Sequence, residues 1–191
     1  MRTIFIAAAL AASTFAGAAH ADVTTYVIDP THTFVSFEVL HFGTSTNRGR
    51  FDKKAGSVQL DMESKTGKVE LTLDTASINT GTAAFDQHLQ SDNFFNAAKF
   101  PSAKFVADKF RFNGDKLTEV SGQLSLLGKT NPVLLKATNF NCYLNPVLKR
   151  EVCGGDFETT ILRDQWGMNW GLEYGIPNQI ALKIQVEAIK Q

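Results

Sequence analysis

The residues best able to do chemistry in this chain are few and scattered. Histidines stand at His20, His32, His41 and His88. Placed on one strand, His32 and His41 are an odd number of residues apart, which turns them to opposite faces and argues against a shared metal. His88 lies between Asp86 and Asp92 in a stretch of helical character, where a hydrogen bond to Asp92 at i+4 is the expected use of its ring. Gly128-Lys129-Thr130 has the look of a phosphate loop's end, yet the earlier glycine would fall at Gln123, and Asn131-Pro132 follows in place of a helix. A hairpin turn is the expectation there. Arg163-Asp164 precedes Trp166, Gly167, Met168 and Trp170, a cluster that either presents rings at a ligand mouth or closes a barrel end with packed indoles. No His-Glu-x-x-His, Gly-x-Ser-x-Gly or Cys-x-x-Cys occurs. An enzyme acting on a hydrophobic substrate would have to work through Asp86, His88 or Asp164.

The ends and the composition narrow the classes. Residues 1–21 begin with Arg2, run through an apolar stretch and finish in Ala19-His20-Ala21, the small-x-small pattern of a cleaved export signal. Cleavage after Ala21 predicts a periplasmic chain starting at Asp22, with residues 22–191 as one domain. The 191-residue sequence carries 19 basic and 19 acidic residues, and loss of Arg2 leaves the acidic side one ahead. Nucleic acid is therefore not an expected partner. No later stretch approaches the ~20 apolar residues of a spanning helix. Export permits disulfides, and Cys142 and Cys153 are expected to form one.

Those candidate residues must be held by strands. Apolar and polar residues alternate in Val35-x-Phe37-x-Val39, in Val58-x-Leu60-x-Met62, in Val69-x-Leu71-x-Leu73 and near Val120, Gly122, Leu124 and Leu126. The clearest row is Ile180, Leu182, Ile184, Val186 and Ala188, set against Lys183, Gln185 and Glu187. Turn residues at 65–67, 113–115 and 128–132 predict antiparallel hairpins. Residues 82–89 read as a short helix with Phe85 and Leu89 on one side. One-faced strands of this kind cover themselves either by pairing two sheets or by closing one into a barrel, and periodicity does not choose. The chain has fifteen phenylalanines, with Phe94, Phe95, Phe100, Phe105, Phe110 and Phe112 gathered beside the helix. They serve either as core packing or as the lining of a cavity. A membrane-spanning barrel would need the inverse pattern, apolar outside and polar inside.

The segments VIDPTHTFVSFEVLHFGTSTNRGRF, FDQHLQSDNFFNAAKFPSAKF, GQLSLLGKTNPVLL, and LRDQWGM followed by NQIALKIQVEAIK stand in that order along the chain. Taken together they resemble the YceI-like family of periplasmic polyisoprenoid-binding proteins. The resemblance implies an all-β fold, an extended antiparallel lipocalin-like barrel of about eight strands with a short helix. It implies a carrier, not an enzyme, with a polyisoprenoid, isoprenoid quinone or other long apolar lipid as its partner inside the barrel. No cofactor and no metal are called for, and a homodimer is compatible with it. The lining expected on this basis is Val35, Phe37, Val39, Leu71, Phe94, Phe95, Phe105, Leu124, Leu126, Trp166, Met168 and Trp170, with His88 and Arg163 as polar contacts. Two positions depart from the family's usual pattern. Phe85 stands where an arginine is common before Asp-x-His-Leu, and Trp166 where phenylalanine is common before Gly-Met.

Overall fold

In the computed structural model, which describes residues 23–191, eleven strands form one antiparallel sheet. The leader expected up to Ala21 lies outside the described residues. The strands are β1 (Thr24–Ile28), β2 (Phe34–His41), β3 (Ser45–Phe51), β4 (Lys54–Asp61), β5 (Thr66–Asp74), β6 (Ile78–Asn79), β7 (Ser102–Asn113), β8 (Lys116–Leu126), β9 (Lys129–Leu144), β10 (Glu151–Leu162) and β11 (Gln179–Lys190). One helix, α1 (Ala83–Gln90), precedes β7. Eight strands, in the order β1-β4-β5-β7-β8-β9-β10-β11, close into a ring because β1 also pairs with β11. The remaining three, β2, β3 and β6, extend the sheet from the first half of β11. Closure decides the choice that periodicity left open: the fold is a lipocalin-like barrel, and its ring has no free edge.

Alternation turns one row of each strand inward. Val35 and Phe37 of β2, Leu71 and Leu73 of β5, and Ile184 and Ala188 of β11 are buried, while Lys183 of β11 reaches an outer ion pair with Glu158. Lys68, Glu70 and Lys104 form another on the outside of β5 and β7. An exterior carrying ion pairs is the reverse of a membrane-spanning barrel. No helix among the described residues is long and apolar enough to cross a bilayer.

Local chemistry explains two joints. The β8–β9 turn is Leu127-Gly128, both with positive φ, 53° and 73°, as a two-residue hairpin of the mirror-image type requires. The expected turn over 128–132 is thus too long. Asn131 and Pro132 already belong to β9, in a stretch with no β10 partner, where a residue lacking an N–H is tolerated. The β1–β2 joint is built on Asp29, whose carboxylate accepts from the Thr31 N–H (2.8 Å), the Thr31 hydroxyl (2.6 Å) and His32 Nδ1 (2.8 Å). His32 therefore precedes β2 and does not share a strand with His41.

That joint makes folding pH-dependent in a defined direction. Burial pushes the Asp29 carboxyl up, but the bonds from His32 and Thr31 outweigh it and hold the group down at about 2, while the Asp29 bond raises His32 above its usual 6.5. A depressed acid contributes stability above its unfolded value of 3.8, lost as pH falls through about 2. A raised histidine contributes below 6.5, and that share is lost as pH rises through its folded value. Denaturation midpoints should therefore be highest between those limits. In His32→Gln the loss on the alkaline side should vanish; an unchanged alkaline limb would remove His32 from the account.

Cys142 and Cys153 are cross-strand partners on β9 and β10 and are joined by a disulfide. Such a bond belongs to a compartment outside the reducing cytosol. With a sequence separation of 11 residues, closing this loop in the unfolded chain is worth up to about 3 kcal/mol. The double variant Cys142→Ser, Cys153→Ser should melt about 10 °C lower by scanning calorimetry. A shift too small to resolve would mean the bridge restrains nothing.

Candidate functional site

The inward rows do not meet. They enclose a cavity of about 540 Å³ that runs within the barrel. Val58, Val69, Leu124, Ile180, Leu182 and Val186 point into the interior yet are only partly buried, as expected of side chains facing a hollow. Of the twelve residues expected in the lining, eleven are there: Val35, Phe37, Val39, Leu71, Phe94, Phe95, Phe105, Leu124, Leu126, Met168 and Trp170. The twelfth, Trp166, is not. It ends a short 3-10 turn (Arg163–Trp166), is 1% exposed, and its indole N–H donates to the Leu124 carbonyl at 3.0 Å. Beside it the Asn131 amide donates to the Gln165 carbonyl, so this turn is bonded to β8 and β9 along the stretch where β9 has no β10 partner. Trp166 packs the wall from behind.

The two ends of the cavity differ. At one, Tyr26, Phe110, Phe140 and Cys153 line a floor, with Phe112 set edge-on to Phe140 at 6.5 Å. The Tyr26 hydroxyl donates to Glu151 at 2.5 Å; burial, then that bond and the carboxylate's charge, push its pKa well above the usual range. At the other end lie α1, the 91–101 segment, the β2–β3 turn and the 163–178 loop. The exposed members of the lining, His41, Phe42 (53%), Trp170 (37%) and Tyr174 (68%), all sit here. This is the mouth.

The Phe-rich segment divides its rings. Phe94 and Phe95 reach the cavity, Phe95 edge-on to Phe51 at 5.4 Å. Phe105 and Phe110 enter it from β7, whereas Phe100 and Phe112 do not line it. His88 lines the mouth, but not through the expected bond to Asp92. Its ring stands edge-on to Trp170 at 4.7 Å and to Phe94 at 5.0 Å. Among the described residues its side chain has no hydrogen-bond partner.

Arg163 also lines the cavity, with four of its five N–H donors already committed. At 3% exposure it donates from Nε to the Pro177 carbonyl (2.9 Å), from Nη1 to those of Met168 (2.7 Å) and Trp170 (2.9 Å), and from Nη2 to Ile176 (3.4 Å). Burial lowers its pKa, and the nearby charges of Asp164 and Glu173 oppose that shift. One guanidinium thus gathers the whole mouth loop. The residues on which an enzyme would have to rest do not converge. The Asp86 carboxylate accepts from the Thr80 N–H and hydroxyl, both at 2.7 Å, and neither Asp86 nor Asp164 lines the cavity. Among the described residues no group of three His, Cys, Asp or Glu is placed to hold a metal.

Asn47, Phe42 and Tyr174 are lining residues that the sequence did not single out. For Asn47 a signal existed. Asn47, Gly49 and Phe51 alternate with Arg48 and Arg50, so β3 carries the same two-residue period in polar dress. Gly49 faces Phe37 across the strands, and a β-carbon there would lie 2.4 Å from the Phe37 ring, so only glycine leaves that ring its place.

A closed antiparallel barrel with one mouth and an almost wholly apolar interior defines a hydrophobic-ligand-binding protein. The chain belongs to the YceI-like family, whose model matches residues 26–188. It is 38% identical over 135 residues to a UPF0312 protein of Pseudomonas savastanoi, covering 69% of this chain and 70% of that one. The YCEI protein of Campylobacter jejuni superposes with a TM-score of 0.70 at 26% identity, over 77% of this chain and 86% of its own. A polyisoprenoid binding domain from Saccharophagus degradans shares the fold, with a TM-score of 0.65, 18% identity and coverage of 87% and 98%.

Proposed function

We propose that the protein is a periplasmic carrier that holds the tail of a polyisoprenoid, an isoprenoid quinone or another long apolar lipid inside the barrel. The observation that carries this reading is the 540 Å³ hollow with an apolar wall from its floor up to the mouth, where the few polar side chains of the lining gather. At ~30 Å³ for a water-sized group, it has room for about eighteen methylene-sized units. At roughly 0.8 kcal/mol for each buried methylene, that tail brings about 14 kcal/mol of gross apolar transfer, reduced by the cost of ordering and association. Longer chains would leave their remainder at the mouth. The polyisoprenoid-binding description of the Saccharophagus relative supports the same ligand class.

Native mass spectrometry of protein purified without detergent, followed by solvent extraction, tests it. An adduct that extracts as a long-chain prenyl or alkyl lipid is expected. Protein that stays empty, and takes up no prenyl lipid on incubation, would refute the carrier reading.

A further inference from the structure

The cavity wall has a polar side, and it is confined to the mouth. His41 continues the inward row of Val35, Phe37 and Val39 on β2, and Asn47 is the cross-strand partner of Val39. His88 reaches the same rim from α1. None of these three side chains has a hydrogen-bond partner among the described residues, although all three line the cavity. Each can donate or accept one hydrogen bond to a ligand atom. The permanent charge in the wall is Arg163, and its N–H groups are directed at four carbonyl oxygens of the mouth loop. The charges nearest that guanidinium are the carboxylates of Asp164 and Glu173, which would repel an anion. At the position on α1 nearest in sequence to Asp86 the wall presents Phe85, an apolar ring.

We propose that this mouth is a head-group site for an uncharged polar group, a hydroxyl, carbonyl or amide, held by His41, Asn47 and His88, and that it discriminates against an anionic head on the same tail. The inference rests on the carrier reading and adds a choice between lipids that the apolar bore cannot make. A phosphate or carboxylate drawn to this rim gives up far more water than a hydroxyl does and meets neutral donors in place of a free cation, so its desolvation is only partly offset. A neutral hydroxyl loses little water and regains a hydrogen bond to an unpaired imidazole or amide. The edge-on rings of Trp170 and Phe94 against His88 fix the imidazole that would meet it.

The test compares farnesol, farnesyl phosphate and the hydrocarbon farnesene on the mature chain at pH about 8, above the ordinary imidazole range. Binding is followed by calorimetry and by the fluorescence of Trp170 at the rim. Farnesol should bind at least about tenfold more tightly than the phosphate, and Asn47→Leu should bring it down toward farnesene. Phe85→Arg, which sets a guanidinium on the rim, should narrow or reverse the preference of farnesol over farnesyl phosphate. Farnesyl phosphate bound as tightly as farnesol by the unaltered chain, or farnesol bound no better than farnesene, would overturn the head-group site while leaving the carrier reading standing. Failure of all three ligands to bind would overturn both.

Discussion

Ala103→Phe should leave the empty protein at least as stable as it was, while weakening uptake of a long apolar ligand by tenfold or more. Ala103 is 4% exposed on β7 and lines the cavity. In a filled core the added ring has nowhere to go, and such overpacking costs about 1–3 kcal/mol. Beside a hollow of 540 Å³ it turns into vacant space and buries apolar surface instead. The same ring occupies room the ligand needs. Thermal denaturation and ligand titration on one preparation read both effects. A clear loss of stability in the ligand-free protein, with binding intact, would mean the interior near Ala103 is packed solid.

Arg163→Met should be the most damaging single change among the mouth residues. It removes the group that bonds the carbonyls of Pro177, Met168, Trp170 and Ile176, leaving acceptors in a partly buried loop without partners. Breaking a buried, charge-assisted network of this kind costs roughly 3–5 kcal/mol, which for a chain of this size lowers Tm by about 10 °C or more. Arg163→Lys should not rescue it, because an ammonium lacks the planar fork that reaches four carbonyls at once. Hydrogen exchange should show the loss concentrated in residues 163–178. Uniform exchange across the barrel, or full rescue by lysine, would show that the loop is held by something else.

The strands that face the hollow were legible because their inward row is apolar and their outward row charged, and β11 is the plainest case. β3 was not, since its inward residues are Asn47, Gly49 and Phe51, and Gly49 must be small for Phe37 to sit against it. β10 was equally hidden, for Gly154 and Gly155 interrupt its pattern where neighbouring carbonyls approach closely. The Phe-rich segment advertised a ring-lined space without saying which rings enter it. Phe100 and Phe95 differ by their place around the turn, a tertiary fact. Arg163 could be found by its position before an aromatic cluster, but its work in bracing the loop depends on four carbonyls brought together only by folding. The sequence left open whether the indoles present themselves at a mouth or pack, and what settles Trp166 as packing is that β9 has no β10 partner before Lys136, a tertiary fact.

The central claim is that the barrel is hollow and that the hollow takes an oily chain through the end bearing Phe42, Trp170 and Tyr174. Diffraction from crystals soaked with a long-chain alcohol brominated at its tail would test it most directly. The account predicts anomalous bromine density deep in the bore, toward Phe110 and Phe140, with the hydroxyl near His41, Asn47 and His88. Bromine found only on the outer faces of the strands, with the bore closed by its own side chains, would contradict it.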